Sequence, residues 1–340
     1  MTAYERMLRA ISGRTPDRIP IAPQLFGVSA RLNGSTIKRY VTDGAFIAEC
    51  QMRLRGEIGH DVLFASADLS VEAEALGCPL RYEDDAYPAV HEPLLGRLCD
   101  TGLLRRPDPL KDARMPVVLE ACARLREAAG DECLVASCML GPASIAAQVM
   151  GIETFLYRLA DDPDAVLKVI DFIEMVSIDY GSALLRAGAH CVVVFDPVAS
   201  PAVLPPSFFS RYEAQRLKRI YASLKAEGAC ASWISIAGDT RKILPCFESL
   251  GINIATIDSG IPLSEVFSLL GAVAVNGTVD TYLFVSGSPT EIRGAVRQGI
   301  LEARGRSNYI VGSGCEVPVE TSFENVRALV EAVEGFHGTP

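Results

Sequence analysis

The chain has 340 residues, 49% of them hydrophobic, which is enough for one large core and allows one barrel or two ordinary domains. Its net charge of −10, with no basic run, argues against nucleic acid as a partner. The N-terminus carries charges where a signal peptide needs an apolar run. No uncharged apolar stretch reaches membrane-spanning length, so a soluble cytoplasmic protein is expected.

In chain order, residues 2–11 fit a short amphipathic helix ended by Ser12-Gly13. Arg18-Ile-Pro-Ile-Ala-Pro-Gln24 reads as a first strand. Residues 43–59 have helical spacing, and Asp61 to Ser66 is a second, buried strand. Residues 70–106 lack strong periodicity and form an excursion able to hold a small hairpin and cover a barrel mouth. Residues 108–129 read as a helix, followed by a strand from Cys133 to Met139. Gly141-Pro-Ala-Ser opens the next helix, with Pro142 suited to a first helical turn. Asp162 is the expected cap, and Pro163 the first residue, of a long helix reaching about Ala187.

Cys191 to Asp196 is a strand of mostly β-branched residues, Pro206 to Glu227 a helix, and Cys230 to Ile236 a further strand. That strand stops near a glycine and hands over to a helix expected from about Thr240. Ile252–Ile257, Ala272–Val275 and Tyr309–Val311 complete eight strands, before a final helix from Phe323 to Val333. Continuous apolar runs of this kind suit strands covered on both faces. Eight such strands, mostly followed by helices, predict a single (β/α)8 TIM barrel over residues 1–340. A doubly wound sheet in two domains is the alternative, but no Gly-x-Gly-x-x-Gly follows any strand.

In such a barrel the C-terminal strand ends share one face, where ligands bind. The polar residues expected there are Gln24, Asp68, Asp196, Ser235, Asp239, Asp258, Asn276 and Cys315. An aspartate after a strand is more often a turn former or helix cap than a catalyst, and Asp239 most invites that reading. Asp68 and Asp196 follow strongly apolar strands and are the stronger acid–base candidates. The acidic stretch from Tyr82 to Glu92 reads as a solvated loop able to fold over the mouth. The ten cysteines are scattered, without Cys-x-x-Cys, and read mainly as small buried hydrophobes in a reducing compartment; their number hints at a low-oxygen source. His60 and His190 precede strands and belong to the opposite rim.

Several segments together resemble the uroporphyrinogen decarboxylase superfamily, and within it the methylcobamide-dependent methyltransferases. They are Arg18-Ile-Pro-Ile, Asp68-Leu-Ser-Val-Glu-Ala-Glu-Ala-Leu-Gly-Cys, Gly141-Pro-Ala-Ser-Ile-Ala, the run from Gly188 to Ser200, Asn276-Gly-Thr-Val-Asp, and Gly314-Cys-Glu-Val-Pro. The resemblance runs nearly end to end and implies a (β/α)8 barrel with its site at the strand C-termini. It also implies a role for Asp68, which matches the key aspartate of the decarboxylases.

The departures are informative. The arginine pair that holds substrate carboxylates in porphyrinogen decarboxylases is absent after Gln24, their tyrosine falls at Gln148, and their late histidine falls at Cys315. The coenzyme M methyltransferases hold zinc through a His-x-Cys that here reads Ser235 and Ala237, leaving Cys315 alone as a match. That departure weakens the case for zinc; Cys315, Glu316 and Glu74 are the candidate ligands left. The implied activity is a corrinoid-linked transfer between a small methylated substrate, such as a methoxylated compound undergoing O-demethylation, and the cobalt of a corrinoid-binding partner protein. Asp68, Asp196 and Ser235 are then candidates to assist the leaving group, with Gln24, Gln148, Asp239, Asp258 and Asn276 around the substrate. A decarboxylase or lyase acting on a smaller acid, and a non-catalytic ligand-binding barrel, are the alternatives. Exposed apolar helix faces would serve as homodimer contacts.

Overall fold

The computed structural model describes residues 1–96 and 101–337. Seven parallel strands form one curled sheet, in the order β1 (Val62–Ala65), β4 (Leu134–Leu140), β5 (Cys191–Phe195), β6 (Ser232–Ser235), β7 (Ile254–Ile257), β8 (Ala274–Val279) and β9 (Tyr309–Ser313). Two short strands, β2 (Leu80–Arg81) and β3 (Ala89–Val90), pair antiparallel outside it, giving the hairpin anticipated in the 70–106 excursion. Of that excursion, residues 97–100 lie outside the described part. Nearly every residue of the seven strands is buried, because helices cover the outer face and side chains fill the interior.

The expected first strand forms no ladder of its own, and the reason is local. Pro20 and Pro23 supply no N–H, so only isolated bridges form, Ile21 with Val311 and Gln24 with Glu316. The segment nonetheless closes the barrel. The Ala22 N–H donates to the Val311 carbonyl at 2.8 Å, and the Val311 N–H to the Pro20 carbonyl at 2.9 Å. On the other side the Asp61 N–H donates to the Ile21 carbonyl at 2.8 Å. The fold is therefore a (β/α)8 barrel whose first strand position is a proline-interrupted seam. The buried Asp61 carboxylate fastens this seam, accepting from the Ile21 N–H and from Arg6 and Arg18, each at 2.7 Å.

Local chemistry sets the helix ends. Thr2 and Glu5 make a reciprocal capping box on helix Ala3–Ile11. Asp162 caps Pro163–Arg186, as its sequence position implies. Three expected helices change shape. The one expected over 108–129 begins only at Met115, since the Asp108 and Asp112 side chains take backbone N–H groups into a turn. The one expected over 206–227 contains a π turn at Phe209–Glu213, which carries Glu213 into the interior. After β6, in place of a helix from Thr240, a turn leads to the short helix Leu244–Phe247. Among the described residues, no helix is long and apolar enough to cross a membrane.

Candidate functional site

Four elements bring side chains to one cavity of about 260 Å³ at the strand C-termini. Asp68 and Ser70 follow β1, Tyr87 to Val90 come from the hairpin, Gln148 from helix Pro142–Met150, and Glu316 follows β9. Among the described residues, the lining holds two carboxyls and no Lys or Arg. An adjoining cavity of about 360 Å³ shares Leu69, Val90 and Gln148 and is otherwise mainly apolar, with Leu140, Ile152 and Val198. A third, of about 300 Å³, lies at the opposite rim, where Ile19 and Tyr309 begin their strands. It contains no carboxyl and is remote from this chemistry.

Glu316 is the most perturbed carboxyl of the lining. One edge touches the cavity, but protein surrounds the rest, and this burial, helped by the nearby Asp68 charge, pushes its carboxyl up to about 8. The Tyr87 hydroxyl donates to Glu316 Oε1 and works the other way, favouring the charged form. The same hydroxyl accepts from the Gly27 N–H at 2.7 Å, which fixes it in place. The approach requires glycine, since a Cβ at position 27 would meet Tyr87 Oη at 2.5 Å. Tyr87 thus reaches the cavity from the acidic loop, while Asp84 and Asp85 stay exposed and pair with Lys38 and Arg31.

Asp68 was the leading acid candidate, and the structure gives it another character. Both its oxygens contact Arg114, and Oδ1 also accepts from the Ser70 N–H at 2.7 Å. It is one half of a buried ion pair, with both oxygens taken up as acceptors. Arg114 Nε donates to Glu74 at 2.7 Å, and Tyr82 donates to the other Glu74 oxygen at 2.6 Å. Glu74, a candidate metal ligand, is therefore bound up in the same cluster, which ties the excursion to the helix starting at Met115.

Asp196 is also placed away from acid–base work on a substrate. It is fully buried and accepts from the Ser144 N–H at 2.9 Å and Ser144 Oγ at 2.6 Å, capping helix Pro142–Met150 from the next strand. A side chain at Gly141 would collide with it. Its second oxygen faces Glu213, which is equally buried. Desolvation raises both carboxyls, and the Asp196 charge raises Glu213 further.

Ser235, Gln24 and Asn276 form a network beneath the cavity. Gln24 Nε2 donates to Ser235 Oγ at 3.3 Å and to Thr256 Oγ1 at 3.1 Å. Thr256 in turn donates to Asn276 Oδ1 at 3.2 Å and accepts from Trp233 Nε1 at 2.9 Å. Gln24 Oε1 is buried without a partner, as is Gln148 Oε1 in the cavity wall. Two predicted residues lie elsewhere. Asp239 is exposed and paired with Arg241 at 2.6 Å. Asp258 serves a turn, accepting from the Gly238 and Ser259 N–H groups at 2.8 and 2.7 Å.

The residues present do not fit zinc. Ser235 is engaged with Gln24, Ala237 offers no side-chain donor, and burial pushes the Cys315 thiol up, away from the thiolate a metal needs. Among the described residues no three His, Cys, Asp or Glu converge. Tyr87, Arg114 and Glu213 were not singled out from sequence. Tyr87 had a signal in the acidic lid loop, whereas Arg114 and Glu213 are brought in only by tertiary packing.

The uroporphyrinogen decarboxylase (URO-D) family matches residues 2–336, almost the whole chain. The chain belongs to this family. Among curated relatives, a methylated-thiol–coenzyme M methyltransferase of Methanosarcina mazei is 27% identical over 98% of this chain and 89% of its own length. The methylcobamide:CoM methyltransferase MtbA of the same organism is 26% identical over 99% of both. A solved structure of a methyltransferase from Methanosarcina mazei superposes with a TM-score of 0.90 at 23% identity, covering 99% of each chain, which supports the barrel.

Proposed function

We propose that this chain is a corrinoid-linked methyltransferase acting on a small, uncharged methylated substrate, with methoxylated compounds the leading class. The observation that carries the reading is Glu316. It is a carboxyl raised to about 8, hence protonated at neutral pH, held by Tyr87 at the barrel mouth of a chain whose relatives include enzymes named for methylcobamide. Glu316 donates its proton to the heteroatom that loses the methyl group, so the leaving group departs neutral. Tyr87 orients that proton, and Gln148 lines the cavity wall beside them. Asp68, held by Arg114, lines the cavity as a fixed acceptor. The apolar annex takes the body of the substrate. When bound on its partner protein, the corrinoid supplies the cobalt nucleophile that receives the methyl group. The residues act as one barrel over 1–340, with the 70–106 excursion as its cover.

The decarboxylase reading fits less well. A substrate with several carboxylates needs cationic clamps, and Arg114, which holds the cavity-lining Asp68, is already engaged by Asp68 and Glu74. The test is optical. Purified protein is mixed under anoxic conditions with cob(I)alamin or a corrinoid protein and a panel of methoxyaromatics, methylamines, methanol and methyl thiols. Conversion of the Co(I) band to methyl-Co(III) with one donor is expected. Carbon dioxide release from a small acid without corrinoid, and no conversion with any donor, would turn the assignment to the decarboxylase class.

A further inference from the structure

The barrel's other rim carries a cavity that methyl transfer does not use. Its volume is about 300 Å³. Four segments meet there: residues 15–19 leading into the seam, the end of helix Pro289–Ala303 with the turn after it, the start of β9 at Tyr309, and Phe336 near the end of helix Phe323–His337. Ile19, Ile300, Leu301 and Phe336 give it apolar walls, and Leu301 is 61% exposed. In a (β/α)8 barrel the chemistry belongs to the opposite face, so a pocket at this rim stands apart from the reaction.

The lining is cationic although the chain is acidic. It holds Arg18, Arg304 and Arg306 and no Asp or Glu, in a protein of net charge −10. The three arginines are not equivalent. Arg18 is neutralised by Asp61, whose two oxygens it contacts at 2.7 and 3.0 Å. Arg306 places its guanidinium over the Phe267 ring, 4.7 Å from the centroid, which holds a cation without discharging it. Among the described residues neither Arg304 nor Arg306 pairs with a carboxylate. The acids next to the lining in sequence are turned to other partners: Asp17 is held by Arg6 at 2.7 Å, and Glu302 accepts from Gln298 at 2.8 Å. Two positive charges are therefore left over at an apolar pocket.

The hydroxyls of the inner wall are already committed. Ser307 Oγ donates to the Gly13 carbonyl at 2.7 Å, and Tyr309 Oη to the Gly277 carbonyl at 3.0 Å. Recognition of a ligand's polar end falls to the two guanidiniums, whose planar forks match the two oxygens of a carboxylate. The apolar walls suit hydrocarbon for the rest of it. We propose that this pocket binds a small amphipathic monocarboxylate, with Arg304 and Arg306 on the carboxylate and Ile19, Ile300 and Phe336 against the hydrocarbon. A ligand so placed spans the seam at Ile19 and the last two helices of the chain. Because it binds the folded chain and not the unfolded one, it stabilises the closed barrel by mass action. The site is independent of methyl transfer at the mouth.

The test uses the whole protein, with sodium octanoate as the probe and 1-octanol as the uncharged control. Binding is read by isothermal titration calorimetry and by thermal melts. Saturable binding of one octanoate per chain is expected, with a rise in melting temperature, and 1-octanol should bind about tenfold more weakly or worse. The double variant Arg304→Gln, Arg306→Gln should weaken octanoate by a similar factor. Both arginines are exposed, so its melting temperature without octanoate should stay near that of wild type. Leu301→Glu, also at an exposed position, sets a carboxylate on the rim and should repel the probe; it separates binding here from binding in the cavities of the mouth. No saturable octanoate binding, octanol binding as tight as octanoate, or octanoate affinity unchanged in the double variant or in Leu301→Glu overturns the proposal.

Discussion

Replacing Glu316 by Gln keeps the shape of the side chain and removes its proton chemistry. Its folded value of about 8 stands far above the ordinary 4.5. At about 1.4 kcal/mol per pH unit, holding it charged in the fold would oppose stability by roughly 5 kcal/mol. The sign follows from the direction of that displacement. Because the folded protein holds the proton more tightly than the unfolded chain, the associated stability is full below 4.5 and drains away as pH rises to about 8. Wild type should therefore lose stability across that window, and Glu316→Gln should lose less. On activity, a positioned general acid contributes on the order of 10²–10⁴-fold. The variant should lose a rate factor in that range, and wild-type rate should fall tenfold per pH unit above about 8. The assay is the rate of Co(I) consumption against pH, with substrate saturating, beside thermal melts over the same range. Full activity in Glu316→Gln, or a wild-type rate that stays level well above its titration point, would refute the role given to this carboxyl.

Three further substitutions test the surrounding framework. Tyr87→Phe removes a hydrogen bond that favours the ionised Glu316, so the alkaline limb of the rate profile should move to higher pH; an unmoved limb would mean the contact does not act on the carboxyl. The same change strips the Gly27 N–H of its acceptor and should destabilise by about 1–3 kcal/mol in denaturant melts. Arg114→Met leaves Asp68 and Glu74 without their cation and should cost about 3–5 kcal/mol, with partial recovery in the double variant carrying Asp68→Asn; a double variant no better than the single would deny the pairing. Glu213→Gln removes a buried carboxyl raised well above its ordinary value, whose stabilising effect is fullest at acid pH and is lost as pH climbs. The variant's melting temperature relative to wild type should therefore improve as pH rises, and a difference constant with pH would rule out a raised Glu213 carboxyl.

The barrel was legible in the sequence because seven of its strands are runs of apolar residues that only a two-sided burial explains. The eighth, Arg18 to Gln24, was rightly located, but its prolines turn it from a ladder strand into a seam. The site was legible only in part. Position after a strand marked Asp68 and Asp196 as candidates, yet it cannot say what each carboxylate meets. Arg114 reaches Asp68 from a distant turn, and Glu213 reaches Asp196 from a π turn without a sequence signal. Glu316 was marked only as a ligand left over when a metal set failed. Its protonation comes from burial under the Tyr87 loop, and burial is a property of the folded chain.

The proline-interrupted seam has a consequence for how the protein is made. Pro20 and Ala22 leave the ribosome long before their hydrogen-bond partner Val311. Until then the nascent barrel is an open, curled sheet with β1 exposed on one edge, while the Asp61 cluster with Arg6 and Arg18 can already hold the first segment against it. Closure waits for β9, so it joins two segments made far apart in the order of synthesis. The same prolines that spoil the ladder also blunt this waiting edge, depriving a neighbouring nascent chain of two backbone donors with which to pair.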